Sequence, residues 1–296
     1  MASIKTYQDA YEIAINKFKK NKHTLAVVIY GSMVSGDIWE ESDMDFLLIT
    51  REQNKTDSIY SKVLNVPVHI NYMSKDIFIE TYKSMLKGGT FHGVFFSAKL
   101  VYCVDEDVRE IYNLTRFYND KDIGIRNIEL VCNLLNSIHY AKKFKVTGKT
   151  ETAYQWCVEV LKNYARLIMN VSGHITHKDI LSLAVSMNRD IEDVFKVLIG
   201  KKPINDKLNY IIDFSEEFIQ SNIENIAKSL ITYLEVIKTP CSATDIQNCD
   251  EFKQVDGDLN ILLEKLSSMN LIMESNREYK SCGNEYLIDQ IVYFKK

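Results

Sequence analysis

The sequence predicts an α+β protein built from three successive segments: a mixed sheet with flanking helices, a helical bundle, and a pair of helices followed by a β-hairpin. Short apolar runs of strand length occur in residues 25–104 and again after residue 271. Residues 120–238 show helical periodicity and no strand pattern. The chain has only three prolines and 11 glycines in 296 residues, which favours long helices over a turn-rich β fold.

The first segment begins with an amphipathic helix. Its apolar face carries Tyr7, Tyr11, Ala14 and Phe18. Strands are then expected at residues 25–30, 46–49, 66–72 and 99–104. A helix that starts after Ser74 and ends near Gly88 separates the last two strands, and residues 105–118 are expected to be helical.

The second segment is expected to be a bundle of helices. The clearest ones are at residues 126–144 and 151–171, and two or three more follow, with breaks at Gly173 and at residues 200–203. A boundary is expected near residues 238–240.

The third segment has the element order of a winged helix. A short helical piece at 242–248 precedes a strong helix at 258–269 and β-like runs at 271–274 and 286–294. We therefore predict three domains: residues 1–119, 120–238 and 239–296.

Charge argues against nucleic acid as the main partner. The net charge is −4, and by segment it is −2 for residues 1–120, +2 for 121–239 and −4 for 240–296. The winged-helix segment is thus the most acidic part, and a helix in a major groove must lie among phosphates. We do not expect this segment to bind DNA.

The six cysteines and the apolar runs carry no sign of secretion or of a membrane. No cysteine pair has CxxC spacing, so we expect neither a disulfide framework nor a zinc site, and interpret the cysteines as core residues. No apolar run is long enough to span a bilayer, and the N-terminus has no signal-peptide core. We expect a cytoplasmic protein without a membrane partner.

The stretch YGSMVSGDIWEESDMDFLLIT combines features of a phosphate site and a metal site. Gly31 and Ser32 form a tight turn after a strand, and the amide groups and hydroxyl of such a turn can hold a phosphate. Asp43 and Asp45 lie two residues apart, so both side chains are expected on one face of the next strand. Two adjacent carboxylates together with substrate phosphates suit Mg²⁺.

This Gly-Ser turn followed by Asp-x-Asp resembles the nucleotidyltransferase (polymerase-β-like) superfamily. The resemblance implies that Gly31 and Ser32 bind the triphosphate of an NTP substrate, and that Asp43 and Asp45 hold Mg²⁺ (or Mn²⁺). It also implies attack by a hydroxyl on the α-phosphate, with release of pyrophosphate. The alternative interpretation is a surface turn followed by a capped strand.

One position departs from the superfamily pattern. Active members usually carry a third carboxylate on a later antiparallel strand that faces the aspartate pair. In the matching strand here, residues 66–72, the candidate positions hold His69 and Asn71. His69 could act as the general base, because histidine titrates near neutral pH. It could equally well be a hydrogen-bond partner of the aspartates in a site without catalysis.

The whole chain also resembles bacterial nucleotidyltransferase-like proteins with a helical middle domain and a C-terminal winged helix. The matching stretches are HTLAVVI, PVHINYMS and AYQWCVEVLKNYARLIMNVSGH. In related transferases the helical domain supplies lysines to the triphosphate, which implies this role for Lys142 and Lys143. The alternative is that these lysines belong to a solvated helix end.

Two functional hypotheses follow from the sequence. The first is an enzyme that transfers a nucleoside monophosphate to a hydroxyl of a small molecule or a protein. The second is a catalytically impaired, nucleotide-binding regulator whose winged helix binds protein or DNA. A purely structural adaptor would leave the paired aspartates unexplained. Assembly as a homodimer is compatible with either hypothesis.

Overall fold

The structure is a computed structural model that describes residues 4–36, 39, 42–53, 55–85, 87–175 and 179–295. It confirms the α+β class. The chain forms two compact units. We call Met1–Met85 with Gly89–Tyr118 the sheet unit, and Leu86–Gly88 with Asn119–Lys296 the helical unit.

The sheet unit is built around five strands in the order β3-β4-β2-β1-β5. Its elements, in chain order, are α1 (Ile4–Lys20), β1 (Thr24–Tyr30), α2 (Ser32–Ser35), β2 (Met44–Thr50), β3 (Thr56–Val63), β4 (Val66–Ser74), α3 (Lys75–Ser84), α4 (Thr90–Ser97), β5 (Lys99–Cys103) and α5 (Glu106–Leu114). Strand β2 pairs antiparallel with β1 and parallel with β4, while β3 and β4 pair antiparallel. The sheet is therefore mixed, as predicted.

The two faces of the sheet pack against different helices. On one face, buried side chains such as Val27, Ile29 and Phe46 pack with α1. On the other, Val28 and Leu47 form a core with residues of α3, α4 and α5. Side chains alternate along a strand, so Tyr30 and Asp45 belong to this second face. They lie at the end of the sheet where its apolar core stops.

Strand β3 is absent from the sequence prediction. Its first seven residues are exposed, so the segment lacks the alternation of buried and exposed side chains that marks a half-buried strand. A two-residue turn at Leu64 and Asn65 links it to β4, with φ values of 50° and 64°. Positive φ at both turn residues fits a tight hairpin and fixes the register of β3 against β4.

The helical unit has one continuous apolar core. Its helices are α6 (Asp120–Val146), α7 (Thr150–Val171), α8 (Ile180–Met187), α9 (Arg189–Ile199), α10 (Ile204–Ile226), α11 (Lys228–Ile237), α12 (Ala243–Gln247) and α13 (Leu259–Ser268). Within the described residues, four helices rather than two or three therefore follow α7 before residue 238. The sequence prediction missed the break at Asn188, whose side chain accepts a hydrogen bond from the amide of Ile191 and caps α9.

The C-terminal segment ends in a hairpin of β6 (Met273–Lys280) and β7 (Tyr286–Phe294). Ser242 and Asp245 form a capping box at the start of α12. The backbone of Cys241 forms an isolated antiparallel β-bridge with Tyr293 of β7. The order of helix, helix and hairpin is consistent with a winged helix. Side chains of this segment and of α6 share one core, and the three-domain division stays a prediction.

No helix within the described ranges is long and apolar enough to cross a membrane.

Candidate functional site

The turn after β1 is tightly packed against Asp45. Gly31 has φ 75° and ψ −154°, a conformation open mainly to glycine. A β-carbon at this position would lie 2.3 Å from Oδ2 of Asp45. Ser32 opens α2, and its hydroxyl is 3.5 Å from the carbonyl oxygen of Asp43. The turn and the aspartates therefore form one structural cluster.

Asp43, Asp45 and His69 meet at the end of the sheet. One candidate ligand atom from each lies within 4.8 Å of the others, and all three residues are partly exposed. Strand pairing explains the grouping, since Asp45 is opposite Tyr30 on β1 and opposite His69 on β4. Strand β2 begins at Met44, so Asp43 immediately precedes the strand rather than lying on it.

His69 has a hydrogen-bond partner at each ring nitrogen. Its Nδ1 is 3.2 Å from Oδ1 of Asp45, and its Nε2 is 2.7 Å from Oγ of Ser58. The His69 and Asp45 side chains are 32% and 20% exposed, so solvent and solutes can reach both. The two carboxylate oxygens of Asp45 thus have different surroundings, with Oδ1 next to His69 and Oδ2 next to Gly31.

Asn71 does not join this cluster. Its side-chain amide donates a hydrogen bond to the Tyr30 hydroxyl instead. Burial raises the pKa of Tyr30 above its usual value of 10.0. The Asn71 hydrogen bond acts in the opposite direction, and the charges of Asp45 and Asp43 raise the pKa further. The negative charges of Asp43 and Asp45 therefore act on the Tyr30 hydroxyl.

Of the two candidates for the third position, the structure places His69 beside the pair. From the resemblance we expected the strand that carries the third position to run antiparallel to the aspartate strand. This expectation is wrong, because β4 runs parallel to β2. Within the described residues, the candidate ligand cluster contains no third carboxylate. Asp37, Glu40 and Glu41 lie outside the described part.

The donor set fits a hard divalent cation. Mg²⁺ and Mn²⁺ prefer carboxylate oxygens, and Asp43 and Asp45 supply them side by side. An imidazole nitrogen suits softer metals better. Because both nitrogens of His69 have protein partners, its geometry fits a hydrogen-bonding role at least as well as a metal ligand.

Two polar side chains of this site, Ser58 and Tyr30, were missed by the sequence reasoning. Ser58 lies on the unpredicted strand β3, and Tyr30 was treated only as the end of an apolar run. Alternation on β1 was a usable signal for Tyr30, because it shares a face with Val28. Nothing in the pattern of β3 marks Ser58.

Lys142 and Lys143 lie near the end of α6 in the helical unit. Lys142 forms an ion pair with Glu216 at 2.7 Å, and Lys143 lies over the rings of Tyr140 and Phe144. Both border a groove of about 460 Å³ with an apolar floor that includes Ile138. Their expected role toward the triphosphate stays a prediction.

Comparison with known proteins supports the superfamily resemblance. The family model described as "Polymerase beta, Nucleotidyltransferase" matches residues 12–107. Among curated proteins, none matches this chain.

Solved structures extend the comparison to the helical unit. A nucleotidyltransferase-like protein from Exiguobacterium sibiricum superposes with a TM-score of 0.71 at 13% identity, covering 98% of this chain and 99% of the other. A spectinomycin adenyltransferase from Enterococcus, solved with ATP and spectinomycin, covers 71% of this chain at 13% identity with a TM-score of 0.31. The first likeness covers both units, and it shows that the fold of this chain also occurs in another protein.

Proposed function

We propose that this chain, whose residues 12–107 match the polymerase β nucleotidyltransferase family, is a nucleotidyltransferase. It transfers a nucleoside monophosphate from an NTP to a hydroxyl of a small molecule or a protein, in a reaction that depends on Mg²⁺ (or Mn²⁺). The observation that carries this proposal is the grouping of Asp43, Asp45 and His69 within 4.8 Å, next to the Gly31 turn.

Asp45 has two proposed roles, as a cation ligand and as a neighbour of the phosphate-binding turn. Asp43 and Asp45 hold the cation, which when bound neutralises phosphate charge and favours departure of pyrophosphate. Oδ2 of Asp45 lies against the turn, so a triphosphate at Gly31 and Ser32 would be next to the cation ligands. The hydrogen bond from His69 to Oδ1 and the packing of Oδ2 against the turn would orient the carboxylate before substrate binds, which lowers the cost of assembling the site.

His69 is the proposed general base for the incoming hydroxyl. In the tautomer that donates from Nδ1 to Asp45, its Nε2 carries a lone electron pair and accepts a hydrogen bond from Ser58, which an incoming hydroxyl would replace. That nitrogen can accept a proton, and Asp45 would stabilise the imidazolium that results. The Asp45 contact therefore supports catalysis by His69 without requiring it to bind the metal.

A second candidate function rests on the same position. A histidine in place of the third carboxylate leaves the metal with fewer oxygen ligands, which weakens metal binding and turnover. Under this alternative the sheet unit binds a nucleotide without transferring it and acts as a regulator. Its winged-helix segment would then contact another macromolecule, most simply a protein because the segment is acidic.

Calorimetry and a pyrophosphate assay separate these functions. Titration with ATP, GTP, CTP and UTP, each with Mg²⁺ or Mn²⁺, should give binding by at least one nucleotide. Asp43→Ala/Asp45→Ala should weaken it at least tenfold, about 1.4 kcal/mol. The matched control is Asp9→Ala/Glu12→Ala, which removes two exposed carboxylates from α1 and changes the net charge equally.

The outcomes lead to different conclusions. Binding accompanied by pyrophosphate release supports the transferase. Binding without pyrophosphate release, in the presence of varied hydroxyl compounds, supports the regulator. If no nucleotide binds and the aspartate variant behaves like the control, both functions are rejected.

A further inference from the structure

A hydroxyl, an imidazole and a carboxylate form a continuous hydrogen-bonded chain across three strands of the sheet unit. Ser58 on β3 lies 2.7 Å from Nε2 of His69 on β4, and Nδ1 of His69 lies 3.2 Å from Asp45 on β2. The resemblance to nucleotidyltransferases assigns no role to Ser58. Its contact with the proposed base is therefore an additional feature of this site.

The strand register explains why Ser58 reaches His69. In the antiparallel pair of β3 and β4, Tyr60 is opposite His69 and Ser58 is opposite Asn71. Residues two apart on a strand share a face, and diagonal neighbours lie within reach of longer side chains. Because the tight turn at residues 64 and 65 sets this register, the contact depends on the hairpin as a whole.

This chain of side chains is the arrangement that activates a hydroxyl for nucleophilic attack. The base accepts the hydroxyl proton, and the carboxylate orients the imidazole and stabilises its charged form. Ser58 is exposed and lies on the edge strand of the sheet, so a substrate bound at the aspartate pair can approach its oxygen from solvent. Nδ1 of the same imidazole faces Asp45, the proposed metal ligand.

We propose that Ser58 is an acceptor hydroxyl within the chain itself, so that the protein attaches a nucleoside monophosphate to its own Ser58. This rests on the proposed nucleotidyltransferase function. In the reaction, Oγ of Ser58 forms a bond to the α-phosphorus of the NTP. The bond between that phosphorus and the oxygen bridging to the β-phosphate breaks, and pyrophosphate leaves. The Ser58 proton passes to Nε2 of His69 and then to solvent.

The product limits its own formation. Once Ser58 is esterified, its oxygen has no proton to give, and the attached nucleoside monophosphate lies against His69. A second transfer to the same serine is chemically excluded. Transfer to Ser58 therefore stops at one nucleotide, which would cover His69 and switch off transfer to other acceptors.

Neighbouring hydroxyls on β3 provide internal controls. Ser61 is exposed on the same strand but lies opposite Val68, on the other face of the sheet. Tyr60 shares the face of Ser58 and is 66% exposed, with its ring centroid 6.4 Å from that of His69. Only modification at Ser58 is expected from the hydrogen-bond geometry.

The experiment uses the full chain and nucleotides labelled at the α-phosphate. Each of the four NTPs is incubated with Mn²⁺ or Mg²⁺, and incorporation is measured by intact mass and by label. Trypsin cleavage after Lys55 and Lys62 releases a peptide of residues 56–62, which contains Ser58, Tyr60 and Ser61. Fragment ions then assign the modified residue. Melting curves show whether each variant is folded.

We expect one nucleotide per chain, located on Ser58. Ser58→Ala should abolish labelling, whereas Ser61→Ala and Tyr60→Phe should label within about twofold of the wild type. His69→Gln, which keeps a polar partner for Ser58 but removes the base, should slow labelling by about 100-fold or more. Because donor site and acceptor lie in the same chain, the labelled fraction should rise at a rate independent of protein concentration.

Three results would overturn the proposal. Label on Tyr60 or Ser61, or labelling that survives Ser58→Ala, shows that a different hydroxyl accepts the nucleotide. Nucleotide binding by calorimetry without label on Ser58 rejects this proposal and leaves the nucleotidyltransferase function standing. Absence of nucleotide binding by the folded wild type rejects both.

Discussion

Gly31 and Asp45 are packed so closely that any side chain at residue 31 would collide with the carboxylate, since its β-carbon would lie 2.3 Å from Oδ2. Gly31→Ala should therefore lower the free energy of unfolding by about 1–3 kcal/mol, because its φ of 75° is also unfavourable for alanine. Displacement of Asp45 should weaken Mn²⁺ binding at least tenfold, about 1.4 kcal/mol. Urea unfolding and calorimetry with Mn²⁺ measure the two effects.

Gly148→Ala is the matched control. Gly148 also has a positive φ, 73°, but a β-carbon there would have no described atom within 4 Å. The control should lose about 1–2 kcal/mol of stability and bind Mn²⁺ as the wild type does. Equal metal affinity in the two variants would show that the contact between Gly31 and Asp45 does not position a metal ligand.

The pKa of Tyr30 reports the charge of the aspartate pair. Asp45→Asn should lower this pKa because it removes a negative charge, while burial, the largest cause of the upward shift, remains. Asn71→Leu should raise it because it removes the donor that stabilises the phenolate. Ultraviolet titration of each protein against its Tyr30→Phe counterpart isolates this tyrosine from the other 16. Shifts of the same sign in both variants would contradict the geometry.

Thiol reactivity tests the packing of the helical unit. Cys132 and Cys157 are buried, and burial raises the pKa of both thiols, that of Cys157 to about 12. Cys282 is exposed. With a chromogenic disulfide at neutral pH, Cys282 should react fast and the two buried thiols only after unfolding, because the thiolate is the reactive form. Cys282→Ser should remove the fast phase. Rapid reaction of Cys132 in the folded protein would contradict its burial in the core around α6.

Affinity for DNA tests the role of the C-terminal segment. Residues 240–296 carry a net charge of −4, and Arg277, on the hairpin, forms an ion pair with Asp245. The full chain should therefore show no salt-dependent affinity for duplex DNA near physiological salt. Fluorescence anisotropy across a salt series measures this. A Kd that weakens steeply with salt would instead favour the regulator with a DNA-binding winged helix.

Much of the fold could be predicted from the sequence because buried elements leave a periodic signal. The apolar runs at β1, β2 and β4 identified the centre of the sheet, and α6, α7 and α13 were found from helical periodicity. Strand β3 was missed because it is exposed on both faces. The interpretation of all six cysteines as core residues was wrong for Cys282, which lies in the polar link between the hairpin strands.

The candidate site could be predicted only in part. Spacing places Asp43 and Asp45 together, and the resemblance to the nucleotidyltransferase pattern makes His69 a candidate. Whether His69 or Asn71 faces the pair depends on the register of β4 against β2, which the sequence does not specify. Ser58 depends in addition on the register of an unpredicted strand, so its contact with His69 emerges only from the folded chain.

Asp43 and Asp45 are proposed to hold a divalent cation beside a triphosphate on the Gly31 turn. Crystals grown with Mn²⁺ and the NTP that binds best test it directly through anomalous scattering. We predict an anomalous peak about 2.1 Å from oxygens of both carboxylates, with phosphate density at Ser32. A triphosphate bound elsewhere, or Mn²⁺ at other residues and not at Asp43 and Asp45, would contradict this proposal.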